Sequence, residues 1–73
     1  MSKLPQVTGE QVVKALRKVG FVLNRWHGSH AILERWGDII SVPCHGSKPL
    51  KKETLSGIIK DAGLTIDEFR ELL

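Results

Sequence analysis

Two periodicities take turns along the chain. From Thr8 onward, apolar residues fall at Val12, Val13, Leu16 and Val19, a spacing that gathers them into one stripe of a helix. Lys14, Arg17 and Lys18 fall between those positions and face solvent on such a helix. Thr8-Gly9-Glu10-Gln11 fits a capping box, with Thr8 as N-cap and Gln11 as its partner, and Gly20 suits a left-handed C-terminal cap. A first helix is predicted over residues 9–19. The pattern then changes. Phe21–Trp26, Ser29–Arg35 and Ile39–Pro43 read as three strands, separated by turns at His27-Gly28 and Trp36-Gly37-Asp38. Turns this short join neighbouring strands in an antiparallel meander. After a Cys44–Pro49 loop the helical period returns from Lys51, at Leu55, Ile58, Ile59 and Ala62, and Gly63 closes it. Thr65-Ile66-Asp67-Glu68 is a second capping box, and Phe69, Leu72 and Leu73 follow it on a short third helix that docks on the core.

The order αβββα plus a terminal helical turn predicts an α+β two-layer sandwich, a three-stranded antiparallel sheet with both main helices on one face. In the second strand, Ala31 and Leu33 share one face, and His30, Ile32 and Glu34 share the other. The first pair suits a helix-covered core. His30 then lies on the open face of the sheet, a placement that a one-residue slip in register would invert.

Composition narrows what such a domain can do. The 73 residues read as a single domain, 1–73. A chain this small buries only about 60% of its unfolded surface, which argues against a deep closed site around a large cofactor. A single cysteine excludes an intrachain disulfide framework and a Cys-built zinc finger. Residues 1–60 carry ten basic and four acidic groups, a net of +6, whereas residues 61–73 carry a net of −3. A basic body points to a polyanionic partner, although a merely solvated surface has the same composition. The first residues lack the apolar core of a signal peptide, and no apolar run approaches the roughly 20 residues needed to span a bilayer, so a cytoplasmic protein is expected.

Three histidines carry the candidate chemistry. His30 follows Gly28-Ser29 directly, where Gly28 allows close approach and Ser29 offers a hydroxyl. An imidazole exchanges protons near neutral pH. An ordinary surface histidine has the same spacing. His45 lies just beyond the third strand and could assist a reaction at a neighbouring strand end, or be a plain loop residue. His27, in the first turn, is the least promising. No metal-ligand spacing is present, and Cys44 reads as a structural thiol rather than a nucleophile. Lys48, Lys51 and Lys52 gather at the start of the second helix. Lysines there oppose the helix dipole unless an anion sits between them, which points to phosphate contact. Trp26 and Trp36 could stack on bases, or serve the core or a partner contact.

The whole pattern resembles the HicA-type messenger-RNA interferase toxins of type II toxin–antitoxin systems. The resemblance runs from residue 8 to residue 69. It is carried by Gly20-Phe21, Gly28-Ser29-His30, Ile40-Ser41-Val42-Pro43-Cys44-His45, Leu50-Lys51-Lys52-Glu53-Thr54-Leu55 and Ile58-Ile59-Lys60-Asp61-Ala62-Gly63-Leu64. It implies a double-stranded-RNA-binding-domain-like αβββα fold and metal-independent cleavage of mRNA. It also implies a single catalytic histidine, which maps onto His30, and neutralisation by a HicB-type antitoxin. No cofactor is expected. Glu53 departs from the family, which often has Gly before Thr-Leu, and this bears on phosphate binding at the second helix. On this reading His30 acts as general base on a ribose 2′-OH, giving a 2′,3′-cyclic phosphate and a 5′-OH. Lys48, Lys51 and Lys52 hold phosphates. The acid for the leaving 5′-oxygen stays open among His45, Lys48 and water. A non-catalytic RNA-binding module and a small interaction subunit are the competing readings, the latter using Trp26, Ile32 and Trp36 as anchors.

Overall fold

Two of the three helices, the first and the last, begin on side chains that cap their own backbone. The computed structural model describes residues 3–73, with six elements: α1 (Gly9–Lys18), β1 (Val22–His27), β2 (His30–Arg35), β3 (Asp38–Pro43), α2 (Lys52–Asp61) and α3 (Ile66–Glu71). Both sequence-predicted capping boxes form. The Thr8 hydroxyl accepts from the Gln11 N–H, and the Thr65 hydroxyl accepts from the Glu68 N–H, with the reciprocal side-chain bonds also made. α1 and α2 both end in the same six-residue closure. Phe21 N–H donates to Leu16 C=O and Leu64 N–H to Ile59 C=O, with Gly20 and Gly63 at φ of 98° and 74°.

The sheet has the order β1-β2-β3 and both pairings are antiparallel. Rows of paired residues run across it. Leu23, Leu33 and Ile40 form one row on the inner face, and Ala31 pairs with Val42 in the next. Arg25, Ile32 and Ser41 lie across the outer face, as do His27, His30 and Pro43. A bulge between Leu23 and Arg25 sets Asn24 out of register, where its amide donates to the Glu34 carboxylate at 3.0 Å.

The core lies between the inner face and the helices. Val12, Ala15 and Leu16 of α1, Leu55, Ile58 and Ile59 of α2 and Phe69 of α3 meet Ala31, Leu33, Ile40 and Val42. Each fully buried Leu, Val or Phe contributes about 1.5–3 kcal/mol. No polar or charged residue is buried as a whole among the described residues; the one buried side-chain polar atom without a partner among them is Arg35 Nε. Ala31 and Leu33 are fully buried and His30 is exposed, as the alternation in β2 predicts.

The strand limits shift by one residue from the sequence reading. Phe21 is not in β1: it is spent closing α1 and lies in the core. The first turn is Gly28-Ser29, not His27-Gly28, so Ser29 precedes β2. The second is Trp36-Gly37, with Asp38 already paired to Arg35. The first helix ends at Lys18, and Lys51 is the N-cap of α2 rather than its first residue.

Arg35 joins the layers. Its guanidinium donates to Val19 C=O at 2.7 Å and Ala62 C=O at 3.1 Å, the C-terminal carbonyls of α1 and α2. It also stacks on Phe21 at 4.3 Å and on Trp36 at 4.7 Å. A cation at two helix C-termini is favoured by both dipoles.

Candidate active site

His30 is held at the end of a hairpin whose tip demands an unusual backbone. Gly28 has φ of 62°, a conformation that costs a residue with a Cβ, while the space around it is open. The two-residue turn closes on the His27–His30 pair. His27, the least promising of the three histidines by sequence, is thus placed directly opposite His30.

On the other side, His30 pairs with Pro43. Pro43 sits at a non-hydrogen-bonded rung, its nitrogen turned away from β2 on the edge strand, and the next rung is made by Cys44, whose N–H donates to Ser29 C=O at 2.9 Å. This bond carries the chain past the end of β3 and alongside the hairpin tip. It delivers His45 to His30, with ring centroids 6.3 Å apart and planes at 74°. Both rings are exposed.

From His45 the surface continues as a groove lined by Pro43, His45, Lys48, Pro49, Leu50, Lys51 and Thr54. Lys48 N–H donates to His45 C=O at 3.3 Å, folding the loop so that both basic residues flank the same trough. Lys51 provides no side-chain cap, so α2 opens onto the groove without one. Lys52 is exposed one residue further on and is not part of this lining. Thr54 also lines the groove, a residue that the sequence pattern does not single out; its place three residues after the N-cap is the one sign of it.

Two further contacts hold this loop. Leu50 N–H donates to Val7 C=O at 2.8 Å, and Thr8 bridges to Pro49. The start of α1 lies so close to Pro43 and Cys44 that a Cβ on Gly9 would overlap both residues. Cys44 is half-buried beneath the loop and its thiol donates to Val42 C=O at 3.6 Å. Burial pushes the thiol pKa up; a hydrogen bond with the Ala31 backbone opposes this and the Glu10 charge adds to it. The protonated thiol suits the structural role expected of it. Trp26 and Trp36 are both exposed, at 54% and 88%, so neither is a core residue. Among the described residues, no three His, Cys, Asp or Glu side chains gather as a metal site requires. Among them too, no helix is long and apolar enough to cross a membrane.

Fold and site together define a small basic α+β domain that exposes two adjoining histidines at one end of an open sheet, next to a lysine-lined groove. The family described as HicA toxin of bacterial toxin-antitoxin matches residues 9–64, the whole span from α1 through α2. The chain belongs to that family, and its role is that of the toxin in a toxin–antitoxin system, which implies an antitoxin partner. No curated protein matches the chain as a relative.

Proposed function

We propose that this toxin is an endoribonuclease that cleaves mRNA in the cytoplasm and is neutralised by a HicB-type antitoxin. The observation that carries this reading is His30. It is exposed on the open face of the sheet, beside a second imidazole and within one strand end of the Lys48–Lys51 groove. RNA brings its own nucleophile, the 2′-OH, so the protein has to supply proton transfer and phosphate contacts. His30 removes the 2′-OH proton, a contribution of about 10²–10⁴-fold in rate for such a group. The oxygen then attacks the adjacent phosphorus and the bond to the 5′-oxygen breaks, leaving a 2′,3′-cyclic phosphate and a 5′-OH. Lys48, Lys51 and Lys52 bind flanking phosphates, and Gly28 and Ser29 leave the approach to His30 open.

Induced expression in cells tests the reading. Growth arrest with mRNA decay is expected, reversed by the co-expressed antitoxin and abolished by His30→Ala, whose fold and antitoxin binding persist. RNA cleavage that survives in His30→Ala would remove His30 from the mechanism. One observation favours an interaction role alongside catalysis. Val22, Trp36 and Ile39 are exposed apolar residues at the opposite end of the sheet, a surface suited to a protein partner. A wild-type chain that binds its partner yet leaves RNA intact would make interaction the whole function.

A further inference from the structure

We infer that His45 is the general acid of the cleavage, the group that protonates the leaving 5′-oxygen; the inference rests on the ribonuclease reading above. Attack by a 2′-OH requires two proton transfers on opposite sides of phosphorus. One proton leaves O2′ and one arrives at O5′. A single histidine at His30 can serve one side. The structure sets a second imidazole across from it, with centroids 6.3 Å apart. The rings stand edge to face and both are exposed, so a phosphodiester docked over the pair can meet both imidazoles.

The other titratable groups near this pair are less well suited. Lys48 and Lys51 lie along the groove beyond His45, where their ammonium groups suit contact with flanking phosphates rather than with the bond that is cut. The Cys44 thiol is turned to Val42 C=O, beneath the loop. His27 faces His30 from β1, on the side away from β3. His45 also does not reach the site by chance of loop placement. The Cys44–Ser29 hydrogen bond and the contact of Gly9 against Pro43 and Cys44 fix the backbone just before it.

In the balanced step His30 takes the proton from O2′, the O2′–P bond forms, the P–O5′ bond breaks, and His45 gives its proton to O5′. His30 ends protonated and His45 neutral, and exchange with water resets both.

The test uses the full chain and an RNA oligonucleotide first shown to be cut by it, resynthesised with sulfur in place of the bridging 5′-oxygen at the cut bond. A thiolate leaves without a proton, so the acid becomes dispensable and the base does not. His45→Gln is expected to slow cleavage of the oxygen substrate by about 10²–10⁴-fold and to recover to within about tenfold of wild type on the sulfur substrate. His30→Gln stays slow on both. The alkaline limb of the kcat/KM profile, where the acid loses its proton, disappears in His45→Gln. His45→Asn and thermal melts of both variants separate chemistry from folding. A folded His45 variant that cuts the oxygen substrate at the wild-type rate, or is not rescued by sulfur, overturns the assignment. So does rescue in His27→Gln instead. A wild-type chain that cuts no RNA overturns the ribonuclease reading and this one with it.

Discussion

Replacing Gly9 by alanine separates the two things a glycine can do in a helix. At the first position of α1, alanine is the better helix former, by at most about 1 kcal/mol. Against that, an added Cβ would lie on the Pro43 carbonyl oxygen, 2.8 Å from Cys44 Sγ and 2.9 Å from Cys44 Cα. Bringing that Cα from 2.9 Å to an ordinary 3.4 Å contact requires a shift of 0.5 Å, and the carbonyl must move further. Both are backbone groups, so no side-chain rotation relieves the overlap. Overpacking of this kind costs about 1–3 kcal/mol, which exceeds the propensity gain. Gly57 is the control. It lies inside α2, and a Cβ there meets nothing within 4 Å. Gly57→Ala should stabilise by about 0.5–1 kcal/mol. In a domain of this size 1 kcal/mol moves Tm by about 4–8 °C. Melts followed by far-ultraviolet circular dichroism should therefore move in opposite directions, down for Gly9→Ala and up for Gly57→Ala. The same displacement disturbs the segment before His45, so Gly9→Ala should also cut RNA more slowly than Gly57→Ala at a temperature where both are folded. A Gly9→Ala protein that melts at or above the wild type would refute the close-approach argument.

Arg35→Met strands the Val19 and Ala62 carbonyls and should cost about 1–3 kcal/mol by urea unfolding, with Arg35→Lys recovering only part because one ammonium cannot replace the fork and the stacking. Cys44 should alkylate slowly at neutral pH in the native protein, the rate climbing only above the usual thiol value of 9.0. Because its folded pKa is raised, its contribution to stability is present below the unfolded value and lost as pH rises through the folded one; Cys44→Ala should lack that alkaline decline in urea midpoint. Lys48→Gln and Lys51→Gln should each flatten the dependence of log K on log salt for single-stranded RNA by about 0.7 for each phosphate the side chain neutralises, whereas Lys14→Gln, on the far side of α1, should leave it unchanged.

Much of this architecture is legible in the sequence because it is local. The Thr8 and Thr65 capping boxes need only residues three apart, and the glycine closures need only the next turn. The inner and outer faces of β2 follow from strict alternation, which also places His30 in solvent. The one-residue shifts share a cause. Phe21 looks like a strand residue, but its N–H is already committed to closing α1. His27 looks like a turn residue, but the need for positive φ at Gly28 moves the turn one place along. Arg35 and Gly9 give no signal, since the carbonyls that Arg35 holds and the backbone that Gly9 lets approach lie sixteen or more positions away in sequence.

The sequence by itself determined the elements, their order and the face on which His30 stands, because hydrogen bonds and periodicity of short range set all three. It also carried the motifs that mark the HicA toxin family. Only the tertiary structure decided what His30 stands next to. That neighbour depends on the Cys44–Ser29 bond that extends the pairing past the end of β3, and on a glycine thirty-five residues upstream of Cys44 that lets α1 come close. Contacts between distant segments are set by packing and closure of the whole chain, and no local pattern encodes them.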